Sequence, residues 1–311
     1  MMFFLKKLIP KKIKDLFWIH FKKLYYLIYY RNFDFYKTHN YKLFNLNFFS
    51  PKTIENKNLL KRTENEKKDI ELIHKIFFKP TIYIDIGANI GYWTFARNYI
   101  LNENIKFYCF EPSRLNFMYL QKNLDRFENI KIVNCGLSNK SEIKTLSFPH
   151  WEREGRERNT GLLSLYGNTN INSENVKLIT LDSYFKNQDI QGNIYIKIDT
   201  EGHEFKILKN MHTLIKKYKP IIQIEVLDSE YSKNSYPKAI KYLKNELNYK
   251  YFYIPNNPIK IRRRNLILKS YYNLKYFFNN LLFFKEKLIL IEKFENISYP
   301  AIFCTNYKIR K

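Results

Sequence analysis

The sequence predicts an α/β fold: a mostly parallel sheet with helices on both faces. Three observations carry that expectation. Short, apolar, β-branched runs recur at 81–86 (TIYIDI), 105–110 (IKFYCF), 130–134 (IKIVN), 193–198 (NIYIKI) and 221–226 (IIQIEV). Stretches of helical character separate them near 91–101, 113–127 and 204–218. Strands that are apolar on both sides are covered on both sides, and strands alternating with helices pair in parallel. With 311 residues, 45% hydrophobic and 18% aromatic, the chain can bury a real core.

In chain order, residues 11–30 follow Pro10 and place Ile13, Leu16, Phe17, Phe21, Leu24 and Ile28 on one side, with Lys11, Lys12, Lys22 and Lys23 on the other. That spacing predicts a basic amphipathic helix. Residues 31–60 keep no period and are expected to connect irregularly. Thr63-Glu64-Asn65-Glu66 reads as a capping box opening a helix through about Phe78. The strand and helix alternation follows. Residues 150–175, rich in Arg, Glu, Asn and Gly, read as a long surface loop. A helix over 236–248, a strand near 250–254 and a last strand near 301–305 complete the sheet. The expected organisation is therefore a helical arm and linker (1–62), a core (63–255), a basic aromatic insertion (256–298) and a final strand with tail (299–311).

The net charge of +25 is uneven. Residues 1–80 carry 18 basic and 7 acidic side chains and residues 231–311 carry 17 and 4, whereas 81–230 carry 19 and 18. An anionic partner is expected to meet the arms and not the middle. Cys109, Cys135 and Cys304 have no paired short spacing, which argues against a disulfide framework or a thiolate zinc site, and no metal ligand set is expected. No uncharged stretch reaches the length of a membrane span, and lysines interrupt the first thirty residues. The expected location is cytoplasmic.

Three constellations carry chemistry. The first is Asp85-Ile86-Gly87-Ala88-Asn89-Ile90-Gly91, directly after a strand, in a chain with only 8 glycines. A glycine turn there lets backbone approach a ligand at the carboxyl ends of the strands. The second is Glu111, ending the next strand in Phe110-Glu111-Pro112. An acid in that place accepts hydrogen bonds from ribose hydroxyls, as a dinucleotide or S-adenosylmethionine would require. The spacing GxxxG in place of GxGxxG, and an Asp85 that would repel pyrophosphate but suit a methionine amino group, favour S-adenosylmethionine. The third is Lys197-Ile198-Asp199-Thr200-Glu201-Gly202-His203-Glu204 at the end of the fourth core strand. Glu204 reads as an acid suited to a helix N-terminus. Strand alternation pushes Lys197 or Asp199 toward a buried face, where a charge needs a partner.

DIGANIG, then FEPS with Asn123 further on, then Thr180-Leu181-Asp182, then IKIDTEGHE followed by KPIIQIEV, resembles the FkbM family of S-adenosylmethionine-dependent methyltransferases over residues 80–230. The resemblance implies a class I methyltransferase fold, a seven-stranded Rossmann-like sheet whose last strand is antiparallel, and O-methylation of a sugar, glycan or related hydroxyl. It implies that Asp85, Gly87, Asn89 and Gly91 hold the methionine end, Glu111 the ribose, and Asn134 to Ser138 the neighbourhood of adenine. Asp199 is expected between the cofactor amino group and the acceptor. The flanks 1–79 and 256–298 find no counterpart in the family.

Methyl transfer to an alcohol needs alignment and a base for the hydroxyl proton. Candidates are His203, Asp199 and Glu201, with Lys197 locking Asp199 or stabilising the alkoxide. A nucleic-acid methyltransferase gripping RNA with the basic arms is the alternative; the chain has no Asp-Pro-Pro-Tyr, Asn-Pro-Pro-Tyr or Pro-Cys run of the kind such enzymes use. A non-catalytic membrane-surface protein is a third reading. Residues 1–30 are expected to touch anionic lipid at the inner membrane face.

Overall fold

A computed structural model describes residues 38–51, 63–147, 173–188, 190–226, 236–255, 288–291 and 299–309. The amphipathic helix expected over 11–30 and most of the 256–298 insertion lie outside these residues. Strands β1 (Thr38–Leu43) and β2 (Leu46–Pro51) come first, then α1 (Thr63–Ile76), β3 (Ile82–Ile86), α2 (Tyr92–Leu101), β4 (Lys106–Phe110), α3 (Arg114–Leu124) and β5 (Ile130–Val133). Next come β6 (Gly136–Leu137), β7 (Glu142–Ser147), β8 (Ser173–Ile179), α4 (Leu181–Phe185), β9 (Ile194–Ile198), α5 (Glu204–Leu208) and α6 (His212–Tyr218). The series ends with β10 (Ile221–Val226), α7 (Tyr236–Asn245), β11 (Tyr251–Pro255), β12 (Leu288–Leu290) and β13 (Tyr299–Thr305).

The main sheet has the order β12-β11-β13-β10-β9-β3-β4-β5. Strands β5, β4, β3, β9 and β10 are parallel, and β13 inserts antiparallel between β10 and β11. This is the expected class I methyltransferase sheet with its antiparallel last strand. It has eight strands and not seven, because β12 from the insertion pairs on the edge of β11.

The side-chain period of a strand explains the two cores. Even positions of the central strands, Ile82, Ile84, Ile86, Ile194, Ile196, Ile198, Ile222 and Ile224, form one apolar face under α4 to α7. Odd positions on the other face change character along the strand. Tyr83 and Tyr195 stack at 5.1 Å at the amino-terminal end, under α1 to α3. Asp85, Lys197 and Gln223 then share one register row. Gly87, Asp199 and Glu225 follow two residues on, at the carboxyl edge. Chain order reverses between β3 and β9, and such a switch point is where open α/β sheets take ligands.

Three further expectations need correction. Residues 38–51 are not an irregular connection but a hairpin, turned through Phe44 and Asn45 at φ 51° and 66°. Its buried Leu43 and Phe48 belong to the core on the tyrosine face. A second sheet, β6-β8-β7, was not expected; it buries Leu146, Val176 and Leu178, and only residues 173–175 of β8 fall within the loop read at 150–175, the rest of which lies outside the described residues. The helix expected over 204–218 is two short helices broken at 209–211. Among the described residues, no helix is long and apolar enough to cross a membrane.

Candidate active site

The GxxxG turn leaves β3 with Gly87 at φ 76°, Asn89 at φ 52° and Gly91 at φ 87°. Its fit to the neighbouring strands is close. The Gly87 and Ala88 N–H groups both donate to the Phe110 carbonyl at 3.0 Å, and Asp199 N–H donates to Ile86 O at 3.1 Å. A Cβ on Gly87 would collide with the Asp199 carbonyl oxygen, and one on Gly91 would lie 2.8 Å from Leu120 Cδ1. Glycine is required at both by conformation and by packing.

Lys197 explains how the site tolerates Asp85, which is 1% exposed. Its ammonium has three donors. One meets Asp85 Oδ1 at 3.1 Å, one the Gly87 carbonyl at 3.2 Å, and one Asp199 Oδ2 at 3.3 Å. Burial works against the charge, but Asp85 and then Asp199 outweigh it and hold the ammonium above the ordinary lysine range. The second Asp85 oxygen accepts from Thr94 Oγ1 at 2.9 Å. Lys197 and Asp199 share one face of the strand; Lys197 lies inside, partnered by Asp85, and Asp199 lies two residues on at the open carboxyl edge.

Asp199 keeps 41% of its side chain exposed. It is the open end of this buried network. Burial pushes its carboxyl up, yet Lys197 and a hydrogen bond from Glu225 hold it below the usual range. Glu225, on the neighbouring strand, goes the other way: burial and then Asp199 raise it well above an ordinary carboxyl. One proton is thus kept on Glu225 and directed at Asp199. Glu201, at φ 52°, brings a third carboxylate, and oxygens of all three lie within 4.8 Å of one another. The sequence reading missed Glu225, although its signal was present. It is an acid at the same alternation as Gln223 in a strand otherwise made of Ile and Val, and the register carries it beside Asp199.

Glu204 confirms its reading as a helix-start acid and does more. Its Oε1 accepts from Thr200 N, Thr200 Oγ1 and Gly202 N at 3.0–3.1 Å, tying down the loop that presents Asp199 and Glu201.

Glu111 is 5% exposed and takes backbone N–H groups from both sides, Asn89 N at 2.8 Å and Ser113 N at 3.0 Å. Asn116 Nδ2 lies 3.4 Å away. Burial pushes the carboxyl up to about 7 against the pull of those donors. Beside it, Asn89 Oδ1 and Ser113 Oγ are buried with no hydrogen-bond partner among the described residues.

The structure brings His203 and Ser138, singled out separately, into contact: His203 Nε2 lies 3.0 Å from Ser138 Oγ. His203 is 2% exposed, and burial followed by Lys206 and Lys144 lowers its pKa to about 3. The imidazole is neutral. Asn134, expected near the same ligand, donates to the Glu111 carbonyl at 2.9 Å and so shapes the turn after β4.

No curated protein matches the chain. Among solved structures, the methyltransferase FkbM from Methylobacillus flagellatus KT is similar at 14% identity and a TM-score of 0.42, over 72% of this chain and 43% of that one. This chain thus spans less than half the length of that protein. The human methyltransferase 10 domain containing protein is similar at 12% identity and TM-score 0.37, over 93% and 98%. The S-adenosylhomocysteine-bound Podospora anserina methyltransferase PaMTH1 is similar at 9% identity and TM-score 0.34, over 96% and 97%. The profile of the Methyltransferase FkbM domain matches residues 85–251, from Asp85 of the turn to the start of β11. That match spans more than half of the sequence, so this chain belongs to the FkbM methyltransferase family.

Proposed function

We propose that the protein is an S-adenosylmethionine-dependent O-methyltransferase acting on a hydroxyl of a sugar, glycan or related small molecule. The observation that carries this reading is the half-open carboxylate of Asp199, seated against the GxxxG turn and backed by Lys197 and Glu225. A base able to take a hydroxyl proton and the turn that would hold the methyl donor share one strand edge.

The residues at that edge fit the cofactor. Glu111, Asn89 Oδ1 and Ser113 Oγ together offer hydrogen-bond acceptors in a buried place. Such a set suits hydroxyl and amino donors, as on a ribose and a methionine end, and would repel a pyrophosphate. Glu111 would hold the ribose, and the turn from Asp85 to Gly91 the methionine end. Bound S-adenosylmethionine supplies a sulfonium methyl that leaves as the acceptor oxygen bonds to it, sulfur keeping the electron pair.

The chain's own groups then manage the proton. Asp199 accepts it from the acceptor hydroxyl as the new C–O bond forms, and passes it to water afterwards. Lys197 fixes the Asp199 carboxylate, and Glu225 orients it through their hydrogen bond. His203 is the weaker candidate base because its ring is enclosed with Nε2 against Ser138 Oγ, whereas Asp199 opens to the site. Ser138 and His203 together brace the loop after β6.

Incubating the purified chain with methyl-labelled S-adenosylmethionine and panels of sugars, glycans and RNA tests the substrate class. Label recovered as a methyl ether on a sugar or glycan hydroxyl is expected. Label confined to RNA would overturn that reading in favour of a nucleic-acid acceptor. The membrane contact proposed for residues 1–30 needs its own test by co-sedimentation with anionic vesicles. A shortened chain used for comparison should lack residues 1–30 but keep the hairpin, since removing residues 1–60 would delete the buried Leu43 and Phe48.

A further inference from the structure

Family similarity begins at Asp85, yet one side chain binds the hairpin at 38–51 to the turn between β3 and α2. Asn123, on α3, is wholly buried. Its Oδ1 accepts the Phe49 N–H at 2.6 Å. Its Nδ2 donates to the Phe49 carbonyl and to the Ile90 carbonyl, each at 2.8 Å. Both amide protons and the oxygen are engaged, so departure of either side leaves part of the buried Asn123 amide without its partner.

Ile90 sits between Asn89 and Gly91, both left-handed, and the direction of its carbonyl is what the turn's unusual backbone sets. Beyond the ties of Gly87 and Ala88 to Phe110 and Lys197, the turn is therefore pinned at two more points. Glu111 holds the Asn89 N–H, and Asn123 holds the next carbonyl. The second pin also holds β2. Phe48, 1% exposed, reinforces it by packing edge-on against Tyr92 and Phe95 at ring distances of 6.0 and 5.1 Å, and Arg126 donates to Asn47 O at 2.7 Å.

We propose that Asn123 is a positioning residue that makes the N-terminal hairpin part of the cofactor apparatus, so that a docked β2 and an occupied GxxxG turn stabilise each other. This rests on reading the turn as the S-adenosylmethionine site. Coupling between two sites is reciprocal: whatever occupancy does for the hairpin, the hairpin does for affinity. A merely structural amide would hold β2 equally with or without cofactor.

Hydrogen exchange on the full, unmodified chain with and without S-adenosylhomocysteine decides between these. Exchange over 46–51, where the Phe49 amide reports the Asn123 bond, should slow about fivefold or more on binding. Calorimetry on the same sample keeps the two ideas apart. Absence of binding would overturn the reading of the site, and this inference with it; binding without protection at 46–51 would overturn the inference alone. Phe48→Ala leaves Asn123 and the turn chemically intact and should still weaken S-adenosylhomocysteine binding about fivefold, as should Asn123→Leu. Unchanged affinity in both variants would also overturn the coupling, and if either fails to fold the exchange result stands by itself.

Discussion

Replacing Lys197 with methionine should cost the fold about 3–5 kcal/mol, a large part of a typical domain's stability. The reason is what it strands. Asp85 is 1% exposed, and with the ammonium gone its buried charge keeps, among the described residues, only the Thr94 hydroxyl as a close donor. Chemical denaturation followed by circular dichroism measures the loss. The companion change Asp85→Asn in the same chain removes the stranded charge and should restore at least half of it, because a buried pair is costly mainly when broken. A single variant as stable as the parent would mean that Asp85 is not paired as described.

The second large effect is on turnover. Asp199→Asn keeps the size of the side chain but cannot take the acceptor's proton, and should lower kcat by roughly 100-fold or more. His203→Asn should change kcat by less than about threefold, since the ring is 2% exposed and its Nε2 faces Ser138 Oγ, leaving it out of an acceptor's reach. Single-turnover transfer of labelled methyl to whichever acceptor the panels identify would measure both. If the histidine variant loses activity and the asparagine variant at 199 does not, the roles are exchanged.

Both predictions come from a row of residues that the sequence only partly exposed. The parallel strands were legible because each is a short β-branched run, and Lys197, Asp199 and Glu111 stood out as charges at strand ends. Glu225 did not stand out, since its meaning depends on the register of β10 against β9, and register is a tertiary fact. The hairpin was hidden by its turn. Phe44-Asn45 adopts the two positive φ angles that Asn-Gly usually supplies, without the glycine that marks such turns. The sheet β6-β8-β7 was hidden for another reason: its alternating faces, as in SENVKLI, are half polar and bury only three hydrophobic residues as a cluster. Helices α5 and α6 read as one because both bury residues at helical spacing, and nothing in 209–211 announces the break.

The central claim, that the edge formed by the GxxxG turn and Glu111 is the S-adenosylmethionine site, is tested most directly by calorimetric titration with S-adenosylhomocysteine at pH 6 and pH 8. Without ligand, burial keeps the Glu111 carboxyl near 7, against an ordinary value of 4.5. Its protonated form therefore stabilises the fold fully below 4.5, and that contribution is lost as the pH rises toward 7. Ribose hydroxyls donate to the ionised form, so binding must expel the proton at pH 6 and need not at pH 8. Affinity should rise about tenfold across that interval, with proton release at the lower pH. Glu111→Gln should flatten the dependence and weaken binding at pH 8 by about 10–100-fold, the worth of a hydrogen bond to a charged group. Binding of equal strength at both pH values, unchanged in the glutamine variant, would contradict the assignment of this edge as the cofactor site.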